Sequence, residues 1–315
     1  MNSPTKSNAH TIRNLIIFVV GVVVLPWLGW ALDMGRGADP HNQQNSLGWL
    51  LFIISPLVMS LLLRTVGGSG WKDAGLKPAF KGNGKWYAFS ILFHPVISLL
   101  ILLAGFALGL VVIPDQSVTK LALVGQATVL AILPALVKNI FEEFGWRGFL
   151  EPKIQLVVRN PLLGHGLVGL VWFVWHLPYY LVLLDPAAIR SVAPLGLAVF
   201  LPLTLAGLVT AALVYGEIRL LTGSIWPAVL MHVGGNVLIG ALLEQKYFSL
   251  PGRAEVFMSP GWSSVLSSVL FAAVGLWLYR RRMAARRTTA QQNDVSSNTG
   301  VDGFAGGGSA VRNKA

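Results

Sequence analysis

The sequence predicts an all-α fold, a polytopic transmembrane helix bundle of about eight spans with both termini in the cytoplasm. Three observations carry that expectation. The 315 residues are 54% hydrophobic and only 12% charged, about half the ~25% charge of an average soluble domain, and mean hydropathy is +0.64. The apolar residues gather into runs of about 20, the length a helix needs to cross roughly 30 Å of hydrocarbon. Lys and Arg concentrate in alternate connections between those runs. Low charge with high hydrophobicity excludes both an ordinary soluble enzyme and a disordered chain. With no cysteine, a disulfide framework, a thiolate metal site and a Cys nucleophile are excluded too. The net charge of +11 is a topology signal, and no nucleic-acid partner is expected.

The first run, about 15–32, follows a basic N-terminus as a signal peptide would. It lacks an Ala-x-Ala exit, so it is expected to stay as the first span. The second, about 47–63, holds Pro56, and the fourth, about 123–150, holds Pro134; membrane helices tolerate both. In the third, about 87–113, Gly105 and Gly109 have the small-xxx-small spacing that suits close helix contact. The remaining runs lie at about 161–183, 194–216, 223–243 and 261–279. One set of alternate connections holds 18 Lys and Arg, the other 5, and Lys138 falls inside a span. The richer set belongs in the cytoplasm. The arginines from Arg280 onward read as a stop-transfer anchor touching anionic lipid. Residues 1–287 are expected to form one membrane-embedded domain with its motif-bearing core at about 123–243. The polar, Gly/Ser-rich stretch 288–315 reads as a disordered cytoplasmic tail. No internal repeat is visible.

Ionisable groups inside spans cost roughly 2.5–3.5 kcal/mol each at the bilayer centre and usually mark function. The informative ones are Lys138, Glu142, Glu143 and Arg147 in the fourth run, His176 in the fifth, and His232 with Asn236 in the seventh. His94 in the third reads as a packed, hydrogen-bonded histidine. Glu143 and Arg147 are four residues apart, the favoured order for an ion pair. Glu142 points about 100° away, free to face a cavity. His232 and Asn236 share one helix face. At 1.5 Å per residue from Pro152, Pro161 and Thr222, Glu142 lies about 15 Å in, His176 about 22 Å, His232 about 15 Å and Asn236 about 21 Å. These positions form one layer, expected on the cytoplasmic side, where a carboxylate, two imidazoles and a carboxamide can activate water. Two histidines and a glutamate can also hold zinc with an open position, although no His-Glu-x-x-His occurs. A non-catalytic membrane protein, whether immunity factor, scaffold or transporter, is the alternative from another class.

Glu142-Glu143-x-x-x-Arg147, an aromatic-x-x-x-His176 element and His232-x-x-x-Asn236 resemble, in order and approximate separation, the three motifs of the CPBP family. These are the CAAX-type intramembrane glutamic endopeptidases, also called the bacteriocin-processing or Abi family. Gly-Ser-Ile-Trp-Pro-Ala before His232 and Asp73-Ala-Gly-Leu-Lys-Pro78 are similar as well. One departure is Trp172, where the family usually has Phe four residues before the histidine; an aromatic is kept. The resemblance implies peptide-bond hydrolysis in the membrane without a covalent intermediate. Glu142 would activate water with help from His176, His232 and Asn236 would stabilise the oxyanion, and Glu143 with Arg147 would position the helix. It implies no cofactor, no metal, and a membrane-associated protein or peptide as substrate beside membrane lipid. The expected location is a bacterial inner membrane. Nothing in the sequence reads a prenyl group.

Overall fold

The computed structural model describes residues 6–112, 118–250 and 253–299, and within them the chain is helical, with no strand. In order come α1 (Lys6–Gly35), α2 (Leu47–Thr65), α3 (Gly84–Ala107), α4 (Val118–Gly145) and α5 (Glu151–Val157), the last two joined by a π-helical turn, Trp146–Leu150. Then follow α6 (Pro161–Pro178), extended by a second π turn, Tyr179–Leu183, and α7 (Pro186–Val192). Last are α8 (Leu197–Thr222), α9 (Trp226–Glu244), α10 (Ala254–Met258) and α11 (Val265–Thr299). Among the described residues seven helical stretches are long and apolar enough to cross a membrane, the α4–α5 stretch being 40 residues long. The protein is an integral membrane protein, a polytopic helix bundle.

Local chemistry sets the helix ends. Asn160 caps α6, accepting from Leu162 N at 3.0 Å, and Pro161 follows at the first helical position, where its missing N–H costs nothing. Ser46 caps α2, and buried Asp33 of α1 accepts from Ser46 Oγ, Leu47 N and Gly48 N at 2.7–2.9 Å. A carboxylate there satisfies the orphan amides and suits the positive helix end. Phe18 of α1 is fully buried and stacks on Phe149 at 4.9 Å, with Trp146 at 6.0 Å. The first apolar run is thus part of the core.

Successive spans gather their connections at two faces. On one, Asn14 donates to Gly67 O at 2.8 Å, Lys153 pairs with Asp73 at 2.9 Å, and Ile225 N donates to Gly75 O at 2.9 Å. On the other, His41 Nδ1 lies 3.3 Å from Leu183 O, and Val112 bridges to Ser249.

Four expectations change. The eighth run does not meet the length of a full span: α11 begins only at Val265 and reaches Arg280 after 15 residues. Ahead of it, Ser259–Ser264 enters the bundle without helical structure, with Ser264 Oγ and Ser267 Oγ donating to Ser259 O at 2.5 and 2.9 Å. Irregular backbone at this depth is tolerated where protein buries it. A Cβ on Gly207 of α8 would lie 1.7 Å from Trp262 O, so only glycine admits that loop. Contacts then advance together along both helices, Leu213 against Gly275 and Glu217 with Arg282. α11 therefore runs parallel to α8.

The second change concerns Gly105 and Gly109. They make no helix contact, because α3 ends at Ala107. Gly105 instead leaves room for Val111, and Gly109 turns the chain at φ +67°. The third is the tail. α11 continues to Thr299, so 288–299 is helical, carried on from a stretch of Met, Ala, Arg and Gln that favours helix; residues 300–315 lie outside the described ones. The fourth is the reading of several basic residues as topology signals alone. Arg219 Nε donates to Arg147 O at 2.9 Å, and the Arg64 guanidinium donates to Gly148 O. Both arginines are buried, and they satisfy carbonyls within the π turn. Asp73 balances Arg64 at 2.8 Å and Lys153 at 2.9 Å.

Candidate active site

Glu142 and Glu143 occupy the last turn of α4 before the π turn, and both are fully buried. Glu143 Oε1 accepts from Arg147 Nη1 at 3.2 Å and lies 2.8 Å from His232 Nδ1 of α9. The spacing-based pair with Arg147 is present. It also holds a histidine, which the spacing did not reveal. The Arg147 guanidinium lies between two rings, 4.6 Å from Trp172 and 4.7 Å from Tyr215, a favourable place for a desolvated cation. Trp172 thus does more than keep an aromatic at its position: its ring shields Arg147 and meets His232 edge-on at 5.4 Å.

Glu142 is not free as expected. Lys138, one turn earlier, brings Nζ to 2.6 Å from Oε1. This turns Oε2 toward His232, whose Nε2 is 3.9 Å away. Lys138 keeps a 37% exposed side chain, so its ammonium reaches the cavity while the carboxylate stays below it.

His176 Nδ1 lies 2.9 Å from Trp172 O. A carbonyl only accepts, so Nδ1 carries the hydrogen and a neutral ring has its lone pair on Nε2. Asn236 Nδ2 donates to Asn139 Oδ1 at 2.9 Å, which fixes the amide one turn beyond His232. Lys138, Trp172, His176, His232 and Asn236 line one cavity of about 390 Å³. Phe52, Tyr179, Tyr180 and Trp262 also line it, and so does Gln43, an exposed residue of the α1–α2 connection. The structure therefore brings His176, His232 and Asn236 to one cavity, with Glu142, Glu143 and Arg147 packed behind it. Among the described residues, no group of three or more His, Cys, Asp or Glu is placed to hold a metal ion.

Several residues here were missed in the sequence. Asn139 is a carboxamide three positions before Glu142 in an apolar run, and that was the available signal. Trp262 and Tyr215 are invisible without the fold. His94 is as expected, buried with Nε2 3.0 Å from Tyr215 Oη.

The fold and site define a class first: an integral membrane protein that holds an acid–base cluster against a cavity within its helices. Residues 124–238 match the family model described as type II CAAX prenyl endopeptidase Rce1-like, and this segment contains every one of the three motifs. Over that segment the chain is similar to CAAX-type proteases of the CPBP/CAAX protease family. No curated protein matches the chain.

Proposed function

We propose that the protein is a glutamic intramembrane endopeptidase that hydrolyses a peptide bond of a membrane-associated protein or peptide, in a bacterial inner membrane. The observation that carries this reading is the unengaged side of His176 facing the cavity that His232 and Asn236 share. Water held between Glu142 Oε2 and His176 Nε2 gives its proton to the carboxylate as its oxygen attacks the carbonyl carbon. Such general-base assistance contributes about 10²–10⁴-fold. A doubly protonated His232 can give one hydrogen to Glu143 and one to the oxyanion, and Asn236 offers its amide. Preset donors of this kind are worth about 2.7–4 kcal/mol each where measured. Collapse of the intermediate breaks the C–N bond, and the proton on Glu142 passes to the leaving amine. Every step uses the chain's own residues and water.

The test compares membranes containing the wild-type protein with membranes containing Glu142→Gln. A membrane protein or leader peptide should accumulate uncleaved in the variant alone. With that substrate and purified protein, strong chelation should leave cleavage intact. Loss of activity restored by zinc would replace this mechanism with a metal-dependent one in which His176 and His232 are ligands.

A further inference from the structure

The catalytic cavity is not centred between the two faces of the bundle. Gln43, an exposed residue that lines it, marks the mouth and belongs to the α1–α2 connection. A second chamber of about 330 Å³ shares Tyr179, Tyr180 and Trp262 with it and reaches Glu244 and Glu255, at the same face. Along its own helix His176 lies about 22 Å from Pro161 but only about 10 Å from Leu183. The cavity therefore opens toward the face with few cations, although His232 behind it lies only about 9 Å along α9 from Trp226 at the other face.

That asymmetry survives removal of the cations used internally. Arg64, Arg147, Arg219 and Arg282 are buried and say little about the membrane. On the face opposite the cavity mouth, Lys72, Lys77 and Lys81 in the α2–α3 connection and Lys85 in the first turn of α3 stay exposed, as do Arg280, Arg281, Arg286 and Arg287 in α11. On the mouth's own face, Arg36, Lys120, Arg190, Lys246 and Arg253 are interspersed with Asp39, Asp185, Glu244 and Glu255. Short connections rich in Lys and Arg stay in the cytoplasm.

From these two observations we infer that the catalytic cavity is reached from the extracytoplasmic side. The scissile stretch is then a translocated segment of a membrane-anchored polypeptide, not a cytoplasmic C-terminus. The substrate class rests on the peptidase reading above; the side of access does not.

The chain has no cysteine, so single thiols report cleanly. Gln43→Cys and Lys77→Cys would each be treated with a membrane-impermeant maleimide in intact spheroplasts. Gln43→Cys should be labelled at least tenfold more than Lys77→Cys, and permeabilisation should equalise them. The reverse pattern, or equal labelling before permeabilisation, overturns the inference. Two single-span reporters, differing only in the side on which the cleavable stretch lies, give the second measurement. Cleavage of the extracytoplasmic one alone, lost in Glu142→Gln, supports the inference; cleavage of the cytoplasmic one overturns it. If the labelling is as expected but Glu142→Gln cleaves like wild type, the catalytic assignment falls and the side of access stands.

Discussion

Two buried clusters, each with two glutamates, a histidine and an arginine, sit about 12 Å apart along one 40-residue helical stretch. In the first, Glu142, Glu143, Arg147 and His232 lie behind the cavity. In the second, Glu151 and Glu217 grip His165 from both sides, Nδ1 to Glu151 Oε1 at 3.0 Å and Nε2 to Glu217 Oε1 at 2.9 Å. Arg282 closes on Glu217 at 2.5 and 2.7 Å, and Gln155 Nε2 donates to Glu151 at 2.9 Å. This group ties α5, α6, α8 and α11 together. The difference lies in the histidines. His165 has both nitrogens taken by carboxylates at 2.9–3.0 Å, whereas His232 bonds Glu143 through Nδ1 and leaves Nε2 3.9 Å from Glu142. Beside it, His176 bonds through Nδ1 and faces the cavity with the other nitrogen. Matching residue types do not make a site; an unengaged lone pair with room for water does.

Breaking the first cluster at its proposed base should have the largest effect. Glu142→Gln should lower cleavage by about 10²–10⁴-fold while melting stays near wild type, since half-exposed Lys138 can turn to water. A variant that cleaved normally would move the base elsewhere. Breaking the second cluster should do the reverse. Glu217→Gln strands Arg282, and removing one partner of a buried pair typically costs about 3–5 kcal/mol. Its melting temperature in detergent should fall, with specific activity held well below melting. Adding Arg282→Met should recover part of the stability. Activity lost without a change in melting would mean that the second cluster belongs to the chemistry. Glu143→Gln should show both losses, because Glu143 serves Arg147 and His232 at once.

Asn236→Ala sharpens the comparison on a smaller scale. Loss of one oxyanion donor should cost about 10²–10³ in kcat with KM little changed. A change in KM alone would make Asn236 a binding residue. The smallest effect is expected at Asp73, outside both clusters. Burial acts to raise its pKa, yet hydrogen bonds from Arg64 and Lys153 outweigh that and hold it below its ordinary 3.8. Its contribution to stability is therefore complete above pH 3.8 and lost as pH falls below it. Asp73→Asn should melt below wild type by the same margin at pH 7 and pH 5, and by less at pH 3. A margin unchanged at pH 3 would show that the carboxylate's charge is not what stabilises the loop.

Much of the fold was legible because membrane burial is one-dimensional: a run of about 20 apolar residues is a span whatever it packs against. Three motif positions were legible for the same reason, since a carboxylate or imidazole in such a run stands out. Glu217 was not, because it lies just past the sixth apolar run, at about 194–216, while α8 continues to Thr222. His165 lay unremarked within the fifth run. Arg64 and Arg219 look like loop cations, and the π turn's two carbonyls together with Asp73 explain why they are buried.

The sequence by itself determined a polytopic helix bundle, its strong charge asymmetry and the spacing that places Glu143 beside Arg147 and His232 beside Asn236. Local periodicity and the cost of burying charge suffice for those. The tertiary structure decided which glutamate holds His232, that Trp262 enters the bundle before α11, and which face the cavity meets. Each of these depends on groups far apart in the sequence or on the rotation of one helix against another, and no local rule of spacing contains that information.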